Sequence, residues 1–468
     1  MQLQVWHHAA HVGTLSLNDE GRWSFAYDAS WTAFALSPHL PIHGGATTDL
    51  VHQRSVEWFF DNLLPEGALR GALAEREALS KEDSWGLLAR YGPDTAGALS
   101  VLPDAIAPDE RQKIRPLSQE RLAQMIERSK QGVPLMAQDG KPRMSLAGAQ
   151  EKIALRVDDA GGYWMPEGTT PSTHILKPEN PNKGYPFCPA NEWFCMSLAK
   201  GAGLRAPKVQ LRSVGPHRVY VVQRFDRTSD VNGVIRRLHQ IDLCQAMNVP
   251  PKKKYEDEGG LGVKDLFLVA KTCRVPAVAI SESMKWIVFN YIIGNGDAHA
   301  KNVSFMMTGQ MSEVSPVYDL LCVDAYHKNN HLTMAIGGQS QAGWVEGCHW
   351  DALALENGAD PRALRPILEQ VSAGVRKARD SILESGELTT IERGWLREHA
   401  VPVIDQRLSF VDEARASPIS NIKTIQEKRR IVDDHVLANI AQLAAATTTN
   451  AKKKLAKEPA ARKPKPKA

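Results

Sequence analysis

Gly294-Asn-Gly-Asp-Ala-His-Ala-Lys-Asn302 is the stretch from which the rest of the chain is read. It follows residues 283–293, which are apolar nearly all round and predict a buried helix. Gly294-Asn295-Gly296 stops that helix. On the loop that leaves it, Asp297 and Asn302 stand five residues apart. Phosphoryl transfer asks for a carboxylate that orients the attacking hydroxyl and accepts its proton. It also asks for an oxygen ligand to the magnesium that bridges the nucleotide phosphates, and D-x-x-x-x-N supplies both. A second metal carboxylate should follow a small hairpin, predicted as residues 303–307 and 314–318 around Thr308-Gly309-Gln310. Asp319, in Pro316-Val-Tyr-Asp-Leu-Leu321, meets that need. One carboxylate and one amide oxygen suffice, because magnesium keeps phosphate oxygens and waters as its other ligands. Taken alone, Asn-Gly-Asp is equally a turn and His299 a surface residue. No second His or Cys lies at ligand spacing from His299. It reads as a polar contact to phosphate or as an orienter of Asp297.

Upstream lies a cation for the phosphates. Lys177 ends a predicted strand in Thr173-His-Ile-Leu-Lys-Pro178, and Glu192 opens an amphipathic helix 15 residues later. The two form a candidate ion pair; separately, they are a solvated lysine and a carboxylate favoured near a helix N-terminus. Val219-Tyr-Val-Val-Gln-Arg-Phe-Asp226 is a strand running into a polar turn. As a hinge it would offer Gln223 and backbone groups to adenine, Phe225 as packing and Asp226 to the ribose. Met144-Ser-Leu-Ala-Gly-Ala-Gln-Glu-Lys152 is a loop of small residues leading into a strand. Its candidates for approaching phosphate are Ala147, Gly148, Ala149 and Gln150.

Around these segments the chain divides into four parts. Residues 1–105 read as a mixed α/β unit, with short strands at 3–5, 13–17 and 23–27 and helical spacing from 56 to 88 that breaks at Pro65-Glu66-Gly67. Residues 106–235 are strand-rich, with a hairpin turning at Gly161-Gly162. Residues 236–446 are mostly helical, with amphipathic stretches near 361–386, 390–413 and 421–445. The remainder, 447–468, is Thr-, Ala-, Lys- and Pro-rich and lacks the apolar content to fold alone. The fold class expected is α+β.

The 468 residues are 43% hydrophobic and 24% charged, ordinary for a globular protein of several units. No apolar run has the length of a membrane span, and Met1-Gln-Leu-Gln-Val-Trp-His-His lacks the pattern of a secretory signal. A cytoplasmic protein is expected. Six cysteines without C-x-x-C spacing read as buried thiols. The formal charge of +4 conceals an asymmetry, since residues 452–468 carry eight Lys/Arg against Glu458 and the rest of the chain is net negative. Nucleic-acid contact, if any, belongs to that tail or to a partner, and a solvated end is the plain alternative.

Together these segments resemble the HipA family of bacterial toxin–antitoxin kinases. The resemblance is carried by Phe60-Asp-Asn-Leu-Leu-Pro-Glu-Gly67, Ser145-Leu-Ala-Gly-Ala-Gln-Glu-Lys152, His174-Ile-Leu-Lys177, Asn191-Glu192, Arg224-Phe-Asp-Arg227, His239-Gln-Ile-Asp-Leu-Cys-Gln245, Lys254-Tyr-Glu256 and 294–302, in the family's order. It implies a bilobal protein-kinase-like fold with an extra N-terminal α/β subdomain and a largely helical C-lobe. It further implies ATP and magnesium as cofactors, Asp297 as catalytic base, Asn302 and Asp319 as magnesium ligands, and Lys177 on the ATP phosphates. Ser145 would be the autophosphorylated serine, whose new charge expels its own loop. Relatives act on aminoacyl-tRNA synthetases, notably glutamate–tRNA ligase, and many pair with a helix-turn-helix antitoxin, HipB. The chain departs from the family's pattern at Gln223, where Glu is usual, at Gln240-Ile-Asp242, and in its basic tail. Two other readings share the motifs: a small-molecule phosphotransferase, and a non-catalytic member of a DNA-bound antitoxin complex.

Overall fold

The structure, a computed structural model, describes residues 1–420 apart from 43–44, 104–107, 109–110, 139–147, 149, 309 and 328–329. The helix expected at 421–445 and the basic tail lie outside the described residues.

Strands β1 (Gln2–His7), β2 (Ala10–Leu17), β3 (Trp23–Tyr27), β4 (Thr47–Thr48) and β5 (Ser100–Pro103) form an antiparallel sheet in the order β4-β3-β2-β1-β5. Alternation explains its single buried face: Leu3, Val5, Leu15, Trp23 and Phe25 point inward, while Gln2 stays exposed. Helices α1 (Ser55–Asp61), α2 (Gly67–Arg76) and α3 (Ser84–Tyr91) cover that face. Phe60 of α1 lies 6.0 Å from Phe25, and Trp85 of α3 meets Trp23 edge-on at 5.0 Å. The expected break at Pro65-Glu66-Gly67 separates α1 from α2.

The second sheet comprises β6 (Ile114–Leu117), β7 (Ile153–Val157), β8 (Tyr163–Pro166), β9 (His174–Pro178), β10 (Val209–Val214) and β11 (His217–Gln223), ordered β10-β11-β9-β7-β8-β6 with every pair antiparallel. Helices α4 (Gln119–Ser129) and α5 (Cys188–Gly201) pack on it. β12 (Arg227–Ser229) and β13 (Ile235–Arg237) make a short ribbon leading to β14 (His239–Asp242) and α6 (Leu243–Ala246).

Beyond it, the helical part contains α7 (Val263–Ala270), α8 (Pro276–Ile292), α9 (Gly347–Glu356), α10 (Pro361–Leu383), α11 (Thr390–Trp395) and α12 (Val401–Ala416). Inserted among them are β15 (Ser304–Thr308) and β16 (Gln310–Val314), in a sheet with β14, and the ribbon of β17 (His331–Ile336) and β18 (Gln339–Gln341). α8 starts seven residues before the expected 283, at Pro276, a residue preorganised for a first helical position. That first turn includes the exposed Val278, so the all-round apolar signature begins only later. The stretch expected as one helix at 390–413 is α11 and α12 joined by a π turn over Leu396–Ala400.

The hairpin strand expected at 314–318 lies instead at Gln310–Val314, with Phe305 opposite Val314. Pro316 has no N–H to give to a ladder, and the Val317 N–H donates elsewhere, to Arg205 O at 2.8 Å. All six cysteines are free and buried. No helix among the described residues is long and apolar enough to cross a membrane.

α5 bridges the second sheet and the helical part by close packing on α10. A Cβ on Gly374 of α10 would stand 2.5 Å from Ala202 Cα and 3.2 Å from Gly201 O, both backbone atoms at the end of α5. Gly374→Ala should therefore destabilise the fold by about 1–3 kcal/mol despite alanine's better helix propensity, read as a lower urea midpoint.

Candidate functional site

Two strands and one helix set the cation. Lys177, on β9, lies opposite Tyr220 of β11, and its side chain runs inward to α5. Nζ donates to Glu192 Oε1 at 2.7 Å and to Asp319 Oδ1 at 2.5 Å. Burial opposes charge on Lys177, but Asp319 and Glu192 outweigh it and hold the ammonium above the usual lysine value. Burial also pushes Glu192 up to about 7, against the pull of Lys177. For Asp319, burial is outweighed by Lys177 and Lys152, which hold its carboxyl well below the usual carboxylate range.

Asp319 has a left-handed backbone, φ +57°, a conformation that costs a non-glycine residue energy and recurs at functional positions. The neighbour of Glu192 fixes the segment that follows. Asn191 Nδ2 donates to Cys322 O at 3.0 Å and Oδ1 accepts from Cys322 N at 3.1 Å.

The loop after α8 is set by short-range bonds. Gly294, at φ +64°, turns the chain out of the helix, and its carbonyl accepts from Asp324 N at 3.0 Å. Asn302 Nδ2 donates to the Asp297 carbonyl oxygen at 2.8 Å, so the five-residue spacing closes into a ring and turns the Asn302 amide oxygen away from that carbonyl. His299 caps the intervening turn, its Nδ1 accepting from Lys301 N at 3.3 Å. Burial lowers His299 to about 3, so the imidazole is neutral with its proton on Nε2. Asp297 itself is open to solvent, and its Oδ1 accepts from the Tyr255 hydroxyl at 3.0 Å. Although the residue reaches solvent, its carboxylate lies in a recess, and this burial, with Asp319 adding, pushes Asp297 above the ordinary aspartate value despite that hydrogen bond. The Lys177–Asp319 pair and the Asp297–Asn302 ring thus stand within electrostatic reach of each other.

Lys301, on the same turn, is buried and anchors the loop to the N-terminal unit. Its Nζ donates to Asp242 Oδ2 at 2.6 Å, Asn62 Oδ1 at 2.8 Å and Asn62 O at 2.9 Å.

Of the small-residue loop, Ser145, Ala147 and Ala149 lie outside the described residues. Gly148 and Gln150 are described. Gly148 has φ +106°, a backbone conformation that calls for glycine, and the Lys152 ammonium lies 2.7 Å from where a Cβ would stand. Burial and then Lys177 lower Lys152 to about 8.

The hinge differs from expectation. Gln223 is exposed at the end of β11 and Phe225 is half-buried, its ring 5.6 Å from Tyr318. The N–H groups of Gln223 and Arg224 already bond to Lys208 O and Thr173 O, so neither is left for adenine.

Asp226, expected at the ribose, is buried and committed elsewhere. Its carboxylate accepts from Arg224 Nε at 2.9 Å, Arg224 Nη2 at 2.7 Å and Gly97 N at 2.7 Å. With Asp94, Arg227 and Arg237 it forms an ion cluster between the N-terminal unit and the hinge. The arginines claim the carboxylate that the hinge reading gives to the ribose.

Glu66, Lys152, Asn191, Tyr255 and Lys254 were assigned no role from sequence, although each sits in a quoted motif. Among the described residues no group of three or more His, Cys, Asp or Glu forms a metal site. Asn302 and Asp319 nonetheless offer hard oxygen donors beside a lysine, a set that suits a magnesium otherwise bound by phosphates.

The chain is similar to known proteins over most of its length. The family description of the HipA-like C-terminal domain matches residues 144–379, and that of the HipA N-terminal domain matches residues 3–102. The chain is 34% identical over 393 residues to a putative kinase, Y4mE, of Sinorhizobium fredii, covering 82% of this chain and 92% of that one. It is 33% identical over 409 residues to the serine/threonine-protein kinase toxin HipA of Shewanella oneidensis, covering 83% and 92%. A solved complex of Shewanella oneidensis HipA, HipB and operator DNA contains a chain that superposes with TM-score 0.77 at 30% identity, covering 89% of this chain and 100% of that one.

Proposed function

The chain belongs to the HipA family of kinases, and from that premise we propose that it is an ATP- and magnesium-dependent protein kinase that phosphorylates serine or threonine. The observation that carries the reading is the contact cluster of Lys177, Glu192 and Asp319, with Asp319 near enough to the Asp297–Asn302 ring for its charge to act on Asp297. Lys177, kept charged by two carboxylates, gives a donor to a nucleotide phosphate once Asp319 turns to the metal. Asp297 accepts the proton of the attacking hydroxyl, and its raised pKa sets the acid limb of activity above the ordinary aspartate value. Magnesium, when bound, neutralises charge that develops on the phosphates; the Asn302 amide oxygen and Asp319 would hold it. Gln223 and Phe225 would line the adenine side, and Ala147, Gly148, Ala149 and Gln150 would cover the phosphates with His299 nearby.

The kinase core on this reading is residues 106–235 with 236–446, preceded by the unit 1–105 and followed by the tail 447–468. Ser145 is the proposed autophosphorylation site. An aminoacyl-tRNA synthetase such as glutamate–tRNA ligase is the proposed protein substrate, and the proposed partner is a HipB-like antitoxin, supported by the company that the superposable Shewanella chain keeps. The proposed compartment is the cytoplasm.

The test incubates full-length protein with γ-labelled ATP and magnesium, then maps labelled peptides; label is expected at Ser145 and on a synthetase. Protein that binds ATP but labels neither itself nor any synthetase would refute the reading.

A further inference from the structure

Arg407 stands on α12, the last helix of the described chain, and only 1% of its side chain is exposed. Neither it nor its partner Asp324 belongs to any motif read from the sequence. Nη2 donates to Asp324 Oδ2 at 3.0 Å and to Asn330 Oδ1 at 2.7 Å. The guanidinium lies over the Tyr291 ring, 5.3 Å from its centroid.

Two of these partners meet at the start of the loop that carries Asp297. Tyr291 lies in the last turn of α8, and its carbonyl accepts from Gly294 N at 3.2 Å. Asp324 donates its N–H to Gly294 O at 3.0 Å. The Asp324 side chain lines the same turn. A Cβ on Gly294 would stand 3.1 Å from Asp324 Cβ, and one on Gly296 would stand 3.8 Å from Asp324 Oδ1. α12 itself comes as close, with Val403 Cγ1 2.6 Å from where the Gly294 Cβ would be.

A buried ion pair adds little net stability over apolar side chains of the same volume, because desolvating two charges offsets their attraction. What it supplies is direction, since a guanidinium donates along fixed lines and admits few placements of its carboxylate. Here that carboxylate belongs to the residue whose N–H holds Gly294 O. The far end of the loop is anchored by Lys301 to Asp242, and Asn295 ties the near end back to Asn290 of α8. Between them the Gly294 turn is braced from α12 through Asp324. The groups on the nucleotide side are held separately: Lys177 by Glu192 and Asp319, and Cys322 by Asn191. None of those bonds involves Arg407.

We propose that Arg407 is a positioning residue for the base: through Asp324 it fixes the Gly294 carbonyl, and with it the path on which the Asp297 loop leaves α8. This rests on the reading of Asp297 as the base. Loss of the grip misplaces that base and leaves the nucleotide site as it is.

The test uses full-length protein, γ-labelled ATP with magnesium, and two acceptors: the chain's own Asp297→Asn variant, and glutamate–tRNA ligase with its tRNA. Whichever acceptor wild-type protein labels is carried forward to Arg407→Met, which keeps a long side chain without its charge. Its kcat should fall by about tenfold to a hundredfold, while the KM for ATP stays within about twofold. A merely structural role predicts a lower urea midpoint with kcat per folded molecule unchanged, or kcat and KM impaired together. Either result overturns the proposal and leaves the kinase reading intact. Wild-type protein that labels neither acceptor overturns both. Should Arg407→Met strand the Asp324 charge and not fold, the double variant Arg407→Met with Asp324→Asn, in which neither partner is charged, decides by the same split.

Discussion

Asp297→Asn should abolish phosphoryl transfer, by about a hundredfold to ten thousandfold, without weakening nucleotide binding. Asparagine has the shape of aspartate, and its amide oxygen still accepts from the Tyr255 hydroxyl, so the loop keeps its form. The Asn302 bond goes to the backbone carbonyl of residue 297 and is untouched. What is lost is the proton acceptor alone. Lys177, proposed to meet the nucleotide phosphates, is held by Glu192 and Asp319 through contacts that exclude residue 297. Single-turnover transfer from γ-labelled ATP, with nucleotide affinity measured in parallel, separates the two effects. A variant that retained most of the wild-type rate would remove Asp297 from the chemistry.

Asp94→Asn carries the largest expected loss of stability. Asp94 is buried between the N-terminal unit and the hinge, where Oδ1 accepts from Arg227 Nη2 at 2.9 Å and Arg237 Nη2 at 3.0 Å, and Oδ2 from Ser172 Oγ at 2.7 Å. Arg224 Nη1 stands 3.7 Å away. Neutralising Asp94 leaves three buried guanidiniums facing the single carboxylate of Asp226, a deficit of about 3–5 kcal/mol. It should appear as a lower urea midpoint with an unchanged slope. Burial opposes the Asp94 charge, but Arg224, Arg237 and Arg227 outweigh it and hold its pKa far below the ordinary value. A group depressed in the folded state stabilises fully above its unfolded pKa, about 3.9 for aspartate, and loses that contribution as pH falls toward the folded value. The stability gap between wild type and variant should therefore be constant from neutral pH to about pH 5 and narrow below about pH 4. A gap that widened on acidification would contradict the account.

Short-range features were legible in the sequence and long-range ones were not. The Asp297–Asn302 spacing, the apolar stretch before it and the glycine stop are local, and the structure builds one ring from them. Lys177 and Glu192 were readable as a pair because a strand end and the next helix are 15 residues apart. Tyr255 lies 42 residues from Asp297, and Glu66 lies 188 residues from Lys254, so no periodicity or spacing joins them. The commitment of Asp226 is hidden from sequence for the same reason, since Gly97, which donates to it, is 129 residues upstream. The second hairpin strand was displaced because Val317 and Tyr318 suggest a strand by composition, whereas Pro316 denies that stretch a ladder bond.

Asn191 and Glu192 are consecutive residues on α5, and one grips Cys322 while the other grips Lys177. Adjacent helical positions turn as a rigid body, about 100° per residue, so no rotation of α5 can free one without dislodging the other. The helix therefore works as an interlock with two teeth cut in the same shaft. Whatever pries the whole helix loose surrenders the lysine's anchor and the clasp on Cys322 in one motion.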